Sequence, residues 1–370
     1  MNNKSNGKSR VVSPRCCDRA IAACPPLSAA REAGARSDNV MTTKVGSSRR
    51  SFLRNSVAAG LGVSLLRSLE ERALLAQASP DVRASSSPPL NSAVPSGTIC
   101  KVKISRLICG GNLISGYAHS RDLLYVSPLL KHYFTDEKIL ETWSLCERRG
   151  VNTMLLNPAN ERDLALYQRH RAGGGKIQLL AQIGPEKDNL SPPIKRAKEA
   201  GAVGAYLNGN YGDRWTREGD VKRIGDLLQI VKDHGMIAGV AAHELRSIQA
   251  VEKAGLAPDF YMKTLHSTNY WSSRRPEQIA EVVDNYSTDN YWCIEPQKTI
   301  SFMSELERPW IAYKVLAAGA IHPKAGFTYA LQNGADFLAV GMFDFQIDED
   351  AALFTDAFQA AQNRERQWFG

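Results

Sequence analysis

The feature that most constrains the fold is a repeated alternation. Short apolar runs rich in β-branched residues alternate with helical patterns eight times from Ile104 to the C-terminus. Parallel strands that are covered on both faces have such continuous apolar sequences. Eight rounds within about 270 residues match the size of a (β/α)8 TIM barrel. An open doubly wound sheet is the rival fold, and it is disfavoured because no GxGxxG sequence follows the first strand.

The expected elements follow from these periodicities and from the glycines that follow most of the helices. The predicted strands are Arg106–Gly110, Thr153–Leu156, Ile177–Ile183, Gly204–Leu207, Ile237–Ala242, Phe260–Leu265, Ile311–Leu316 and Phe337–Val340. The predicted helices are Asp136–Arg149, Glu161–Arg171, Pro192–Ala200, Asp220–His234, Leu245–Ala254, Lys298–Leu306, Pro323–Asn333 and Asp350–Arg366. Long loops are expected at 112–135, 208–219 and 266–294, after the first, fourth and sixth strands.

The N-terminal region has the sequence features of an export signal. The sequence SRRSFLR at 48–54 resembles a twin-arginine export signal, an apolar stretch follows at 57–66, and AQA at 76–78 matches a small-residue cleavage site. We therefore expect disorder over 1–40, with Met41 as an alternative start, and a signal peptide over 41–78. A Pro/Ser-rich linker at 79–97 precedes one barrel domain at 98–370. These features predict a periplasmic or otherwise extracytoplasmic protein.

Charge and hydropathy exclude two classes of function. The formal net charge of +8 belongs to residues 1–78, and the remainder of the chain is balanced. The barrel therefore has no basic excess with which to bind a nucleic acid. The mean hydropathy is -0.30, and no apolar run approaches the roughly 18–20 residues of a membrane span. We expect no stable membrane span after signal cleavage, and a small molecule as the partner.

In a barrel of this type, functional residues stand at the C-terminal ends of the strands. Two lysines in otherwise apolar predicted strands, Lys263 and Lys314, are the leading catalytic candidates, because burial and a second cation would lower the pKa of an amine. His243 and His266, at the ends of the fifth and sixth strands, are candidate acids or bases. The candidate substrate-binding residues are Asn112, His119, Asn157, Gln182, Asn208, Tyr313 and Asp344.

The sequence also contains residues that could form a metal site or an anion site. His243, Glu244, His266 and Asp344 have side chains that suit a metal, yet HxH and HExxH spacings are missing, so no metal is expected. Gly319 and Gly341 stand where many barrels bind an anion through backbone N–H groups. The same glycines are also needed for tight turns, so the sequence allows both an anion site and a purely structural role.

The sequence ISRLICGGN at 104–112, with the following helix and VNT at 151–153, resembles the start of the aldo-keto reductases over about 50 residues. That resemblance implies a barrel, an NAD(P) cofactor and an Asp-Tyr-Lys-His tetrad. Asn157, Gln182 and Asn208 stand where tetrad residues are expected, so the tetrad is absent. The GGN at 110–112 and AYKVLAAG at 312–319 also resemble a group of uncharacterised exported barrel proteins, which supplies no reaction.

Three classes of function stay open. The first is an exported enzyme that acts on a small polar carbonyl or sugar-like substrate by lysine and histidine chemistry, as a lyase, aldolase or isomerase, with no cofactor. The second is an oxidoreductase similar to the aldo-keto reductases, with a rearranged site and a nicotinamide cofactor. The third is a non-catalytic barrel that binds a sugar or a partner through aromatic loops. The sequence leaves the oligomeric state undetermined.

Overall fold

The computed structural model describes residues 93–119, 123–273 and 292–370. A short antiparallel hairpin, β1 (Ser96–Ile99) and β2 (Val102–Ser105), comes first. Eight parallel strands then close into the predicted (β/α)8 barrel, with β10 paired to β3. The barrel strands are β3 (Leu107–Cys109), β4 (Thr153–Leu156), β5 (Gln178–Ile183), β6 (Gly204–Leu207), β7 (Ile237–Ala242), β8 (Phe260–Thr264), β9 (Trp310–Tyr313) and β10 (Phe337–Val340).

Helices alternate with the barrel strands. They are α1 (Val126–Tyr133), α2 (Asp136–Arg148), α3 (Glu161–Ala172), α4 (Ser191–Glu199), α5 (Gly209–Arg217), α6 (Val221–Asp233), α7 (Leu245–Lys253), α8 (Pro296–Ser304), α9 (Pro323–Gln332) and α10 (Ile347–Ala360). Thr135 begins α2 by accepting a hydrogen bond from the Lys138 N–H at 3.2 Å, the usual arrangement at a helix N-terminus. Most helices are followed by a glycine with positive φ, although Gly174 and not Gly173 has it after α3.

Side chains along the strands alternate between two apolar layers, as the pleat of a strand requires. Ile108, Leu180 and Met262 face the barrel axis, whereas Tyr261 lies in the layer between strands and helices. Ile104 of β2 packs with the axial side chains. Because β2 leads directly into β3, the hairpin closes the N-terminal end of the barrel. The C-terminal ends of the strands lie at the opposite end of the barrel from this hairpin.

Several predicted elements need correction. The predicted loop 208–219 contains α5, which begins because Asn208 accepts a hydrogen bond from the Asn210 N–H. The loop 112–135 contains α1, and the predicted linker 79–97 overlaps β1. The predicted strand Ile311–Leu316 ends at Tyr313, because the chain turns at Lys314 into a short 3-10 helix, Ala317–Gly319.

Some predictions fall on residues outside the described ranges. These are the disordered segment 1–40, the signal peptide 41–78, nearly all of the linker 79–97 and part of the long loop 266–294. Over the ranges that the structure describes, no helix combines the length and the apolar character that crossing a membrane would require.

Candidate active site

The candidate site is centred on a buried pair, Asp213 and His243. His243 directly follows β7, and its Nδ1 donates a hydrogen bond to Asp213 Oδ2 at 2.8 Å. The same carboxylate accepts the N–H of His243 at 2.9 Å, the N–H of Glu244 at 3.1 Å and the hydroxyl of Ser247 at 2.8 Å. Four donors thus fix a carboxylate that is 0% exposed. Such a carboxylate holds the imidazole in one orientation and one tautomer, with the proton on Nδ1.

Two glycines allow α5 to bring Asp213 to this position. A Cβ atom at Gly212 would lie 2.4 Å from the Ala241 carbonyl oxygen, so α5 packs directly on β7. A Cβ atom at Gly209 would lie 2.6 Å from Tyr313 Oη and 2.9 Å from His243 Cε1. The close approach of the helix to the strand end therefore requires both glycines.

Burial and neighbouring charges shift both ionisable groups of the pair. Burial alone would raise the pKa of Asp213, but hydrogen bonds from His243 and from the backbone hold that pKa below its usual value. Burial, together with the cationic Lys314 and Lys263, lowers the pKa of His243 to about 4, although Asp213 opposes the shift. At neutral pH the imidazole is therefore uncharged, and its Nε2 makes no hydrogen bond within the described part of the chain. That atom is a proton acceptor.

Tyr313 stands beside His243 at the end of β9. The two ring centroids lie 5.4 Å apart. Burial raises the pKa of the Tyr313 hydroxyl well above its usual value, so the group stays protonated. A buried phenol of this kind can donate or accept a hydrogen bond but does not titrate at neutral pH.

Lys314 lies just past the end of β9. Its φ of 59° is in the left-handed region, and Ala317 and Ala318 share that unusual backbone. The turn carries the amine back over the mouth of the barrel, 5.7 Å from the centroid of the Tyr313 ring and 3.5 Å from His119 Nδ1. Strained backbone of this kind is concentrated at functional sites. Lys314 is thus positioned by a turn and not by the apolar strand that the sequence predicted.

The carboxylates of Glu244 and Asp344, which follow β7 and β10, make no direct ion pair with Lys314. Glu244 pairs with Arg217 at 2.8 Å and with Arg246. Asp344, predicted to bind substrate, pairs with Lys138 at 2.9 Å and accepts a hydrogen bond from Tyr133. These contacts lower the pKa of Asp344 although partial burial opposes the shift, and they hold its carboxylate against the outer helices.

Lys263, predicted as a catalytic lysine together with Lys314, does not face the mouth of the barrel. It shares the outward face of β8 with Tyr261 and is 1% exposed. Its Nζ donates hydrogen bonds to the carbonyl oxygens of His243 at 2.7 Å and Thr264 at 3.1 Å. Alternation along β8 places Met262 and Thr264 inward and the lysine outward. Lys263 and Lys314 therefore lie on opposite sides of the barrel wall.

The remaining predicted histidine positions differ in what they can do. Both ring nitrogens of His266 are engaged, Nδ1 with the Ser267 carbonyl at 2.8 Å and Nε2 with the Cys293 N–H at 2.8 Å. These two hydrogen bonds indicate that His266 anchors the loop after β8 and does not act as an acid or base. His119 Nε2 lies 3.0 Å from Asn112 Nδ2 at the rim beside Lys314.

The three amides predicted to line the mouth are not equally available. Asn157 and Asn208 use their side-chain oxygens for local turns, accepting the N–H of Ala159 and of Asn210, each at 2.9 Å. Gln182 stands on the axial face of β5, and its side chain makes no hydrogen bond within the described ranges. Gln182 is therefore the amide best placed for a ligand.

The predicted anion site has few donors to offer. The N–H groups of Gly319 and Ile321 both donate to the Leu316 carbonyl, and that of Ala317 donates to the Lys314 carbonyl. At Gly341 an added Cβ would meet the Leu113 side chain at 3.0 Å, so this glycine serves close packing. Across the described ranges, no group of three or more His, Cys, Asp or Glu residues could hold a metal ion.

Asp213 is the functional residue that the sequence reasoning missed. It stands in a segment that was predicted to be a loop, and nothing in a single sequence links it to His243. The available signal was the pattern of Asn208 followed by Tyr211 and Trp215, which is typical of a capped helix with one apolar face.

No protein-family model matches the chain, and no curated protein matches its sequence. Among solved structures, a Pseudomonas aeruginosa protein provisionally described as an aldo-keto reductase aligns with a TM-score of 0.49 and 14% identity, over 73% of this chain and 98% of that one. A truncated 3-deoxy-D-arabino-heptulosonate 7-phosphate synthase from Thermotoga maritima aligns with a TM-score of 0.41 and 12% identity, over 73% and 91%. A provisionally described deoxyribose-phosphate aldolase from Coccidioides immitis gives 0.39 and 14%, over 59% and 80%. This chain is similar to these proteins in its barrel fold.

Proposed function

We propose that this chain is a barrel enzyme that moves a proton next to the carbonyl group of a small polar or sugar-like substrate, as an isomerase, lyase or aldolase does. His243 is the base and Lys314 the cation that stabilises the carbonyl oxygen. The observation that carries the proposal is the Asp213–His243 pair, which holds an uncharged imidazole beside Lys314 at the C-terminal end of the barrel. No cofactor is needed for this reaction.

The geometry divides the chemistry between the two residues. Removing a proton from the carbon beside a carbonyl gives an enolate, whose negative charge collects on the oxygen. An uncharged imidazole can accept the proton at Nε2, and an ammonium group can stabilise the oxygen. Lys314 is assigned this electrostatic role, and not that of a nucleophile, because the second cation expected to activate it, Lys263, is on the far side of the wall.

Proton exchange tests the proposal without knowledge of the natural substrate. The protein is incubated with dihydroxyacetone in D2O, and the loss of the carbon-bound proton signal is followed by NMR. His243→Asn keeps a donor for Asp213 and removes Nε2, and Lys314→Met removes the amine at similar length. Each change should lower the rate by about 10²–10⁴-fold. His234→Asn and Lys298→Met, at positions away from the site, are matched controls. A folded Lys314→Met protein with full activity would show that the lysine mechanism is wrong.

The role of the amine is tested separately. Lys314→Arg keeps the positive charge and cannot form a Schiff base, so it should restore part of the exchange rate lost in Lys314→Met. Borohydride treatment in the presence of dihydroxyacetone should leave the mass of the protein unchanged. A stable adduct on Lys314 would instead assign covalent catalysis to that residue.

An oxidoreductase function is the second candidate. Its supporting observation is that the residue types of the aldo-keto reductase tetrad occur together at the ends of β6, β7 and β9, as Asp213, His243, Tyr313 and Lys314. A reductase would need NAD(P), and Tyr313 would give its proton to the carbonyl oxygen. Consumption of reduced nicotinamide with dihydroxyacetone, lost in Tyr313→Phe, would favour this candidate over proton exchange alone.

Export is proposed on the sequence of residues 41–78, which lie outside the described ranges. Replacing Arg49 and Arg50 by lysine should retain a tagged protein in the cytoplasm, because the twin-arginine pair is the recognised element of such a signal. Cell fractionation measures the outcome. Unchanged export of the double variant would contradict the proposal.

A further inference from the structure

Two buried hydroxyl groups at the base of the candidate site have no hydrogen-bond partner among the described residues. They belong to Thr264 and Tyr313, which are register partners on β8 and β9. Both stand on the axial face of their strands, as Met262 and Ile311 do two residues earlier. The Thr264 hydroxyl lies close enough to Tyr313 to lower its pKa in the manner of a hydrogen bond, but the geometry of the pair falls short of a full hydrogen bond, and neither oxygen has another partner among the described residues.

Two other buried hydroxyls, those of Thr355 and Tyr261, show the usual arrangement. Thr355 donates to the Ala351 carbonyl at 2.8 Å, and Tyr261 donates to Glu252 at 2.5 Å. An unsatisfied buried polar group is a substantial cost to the folded state, so two adjacent ones call for an explanation. Their position beside the His243 ring and beneath Lys314 points to a ligand that completes their bonding.

We propose that Tyr313 and Thr264 form a subsite for a hydroxyl group on the carbon next to the substrate carbonyl. This inference rests on the proposed function and narrows its substrates to α-hydroxy carbonyl compounds, the class of short open-chain sugars. With the carbonyl oxygen at Lys314 and the reacting carbon at His243 Nε2, the neighbouring oxygen lies at the two hydroxyls. A ligand hydroxyl can both donate and accept, which suits two partners of the same kind.

The charge around the subsite favours a neutral group over a carboxylate. Asp213 lies close enough to oppose ionisation of Tyr313, so a second negative charge there would be disfavoured in the same way. Gly209 packs directly beside Tyr313 Oη, since a Cβ atom at that position would lie only 2.6 Å from the oxygen. The subsite therefore selects against 2-oxo acids, whose carboxylate would occupy this position.

The experiment compares hydroxyacetone with acetone, which differ by one hydroxyl, in the D2O exchange assay. Wild type should prefer hydroxyacetone, and Tyr313→Phe and Thr264→Val should each lower the kcat/KM ratio of hydroxyacetone to acetone by about 10-fold, the effect of one lost hydrogen bond. Tyr261→Phe and Thr355→Val remove bonded hydroxyls outside the site and are the matched controls, with an unchanged ratio.

Thermal unfolding of the free proteins gives a readout that does not depend on catalysis. Because the two hydroxyls are unpartnered, Tyr313→Phe and Thr264→Val should have a Tm equal to or above that of wild type. Tyr261→Phe and Thr355→Val should unfold at lower temperature. A lowered Tm in both site variants would mean that the hydroxyls stabilise the fold, and this would overturn the subsite.

Failure of the subsite and failure of the proposed function give different results. If exchange depends on His243 but the hydroxyacetone preference survives in both variants, the subsite is wrong and the function stands. If wild type exchanges neither compound, the function is wrong, and hydroxyacetone binding is then measured by saturation-transfer NMR. Binding that is lost in both variants would support the subsite, and equal binding by all three proteins would overturn it.

Discussion

The two ends of the barrel each bury a carboxylate with four hydrogen-bond donors, but the donors differ. At the N-terminal end, Asp336 accepts from Arg364 at 2.6 Å, Arg366 at 2.7 Å, and the backbone N–H groups of Trp310 at 2.9 Å and Phe369 at 3.0 Å. At the C-terminal end, Asp213 accepts from an imidazole, two backbone N–H groups and a serine hydroxyl. One carboxylate is balanced by two permanent cations, and the other by none in direct contact.

This difference separates a structural cluster from a reactive one. Guanidinium groups do not lose their proton at physiological pH, so the N-terminal cluster is complete and fixed. An imidazole can lose or gain a proton, and Nε2 of His243 makes no hydrogen bond with the described residues. Unpartnered hydroxyls of Tyr313 and Thr264 occur beside it. The charges of the N-terminal cluster therefore compensate one another, whereas the C-terminal end holds an uncharged imidazole and two hydroxyl groups that a substrate can engage.

The largest effect is expected at the N-terminal cluster. Asp336→Asn would leave Arg364 and Arg366, whose side chains are 1% and 4% exposed, without a compensating charge. Breaking a buried ion pair in this way costs about 3–5 kcal/mol of the free energy of unfolding. Urea denaturation measures the loss, and any protein that stays folded should exchange substrate protons normally.

A surface ion pair provides the matched comparison. Asp348 pairs with Arg149, and its side chain is 62% exposed. Asp348→Asn should change the free energy of unfolding by no more than about 1 kcal/mol, since solvent screens the charges. Equal losses in Asp336→Asn and Asp348→Asn would remove the distinction between a buried and an exposed carboxylate on which the comparison rests.

The second largest expected effect is a loss of folding stability in acid, which arises from His243 at the C-terminal end of the barrel. The pKa of His243 is about 4 in the folded protein and about 6.5 in an unfolded chain. Its contribution to stability is therefore complete above about pH 6.5 and is lost as the pH falls toward 4, because the unfolded chain binds the proton more tightly. Between about pH 7 and pH 4.5 the loss is about 2 kcal/mol.

Asp350 in α10 changes the stability in the opposite direction as the pH falls, so its effect must be separated from that of His243. Burial raises its pKa to about 7, so its contribution to stability is present in acid and is lost as the pH rises through 7. The test is therefore a difference: urea denaturation of wild type and His243→Asn at both pH values. The variant should lose about 2 kcal/mol less on acidification, and His234→Asn should behave as wild type does. Equal losses in wild type and His243→Asn would refute the assignment.

Features of the fold and the site that depend on local sequence could be predicted, whereas features that depend on contacts between distant residues could not. The eight strands were predictable because alternating apolar runs are local, and β4, β6, β7 and β10 agree to the residue. His243 was found because a strand end marks it. Asp213 was not, because its role depends on contact with a side chain 30 positions away. The direction of Lys263 follows from the register of β8, which the sequence alone did not specify.

The smallest and most informative effect comes from two glycines, one at each end. In Gly97→Ala the new Cβ would lie 2.9 Å from Phe337 Cζ and 3.0 Å from Arg106 Cζ, and in Gly209→Ala it would lie 2.6 Å from Tyr313 Oη and 2.9 Å from His243 Cε1. Crowding of this size lowers the free energy of unfolding by about 1–3 kcal/mol. The smaller backbone entropy of alanine, compared with glycine, raises it again by up to about 1 kcal/mol.

Gly97→Ala should lose stability, whereas Gly209→Ala should lose activity. Gly97→Ala should lower the Tm and leave the exchange rate of dihydroxyacetone intact, because Phe337 and Arg106 are far from the mouth. Gly209→Ala should lower the exchange rate at least 10-fold, since a displacement of His243 or Tyr313 by a few tenths of an ångström misaligns the reacting groups. Parallel measurement of Tm and exchange rate decides the matter. An active Gly209→Ala protein would mean that the approach of α5 to Tyr313 and His243 serves packing alone, and the catalytic assignment of the C-terminal end would lose its geometric basis.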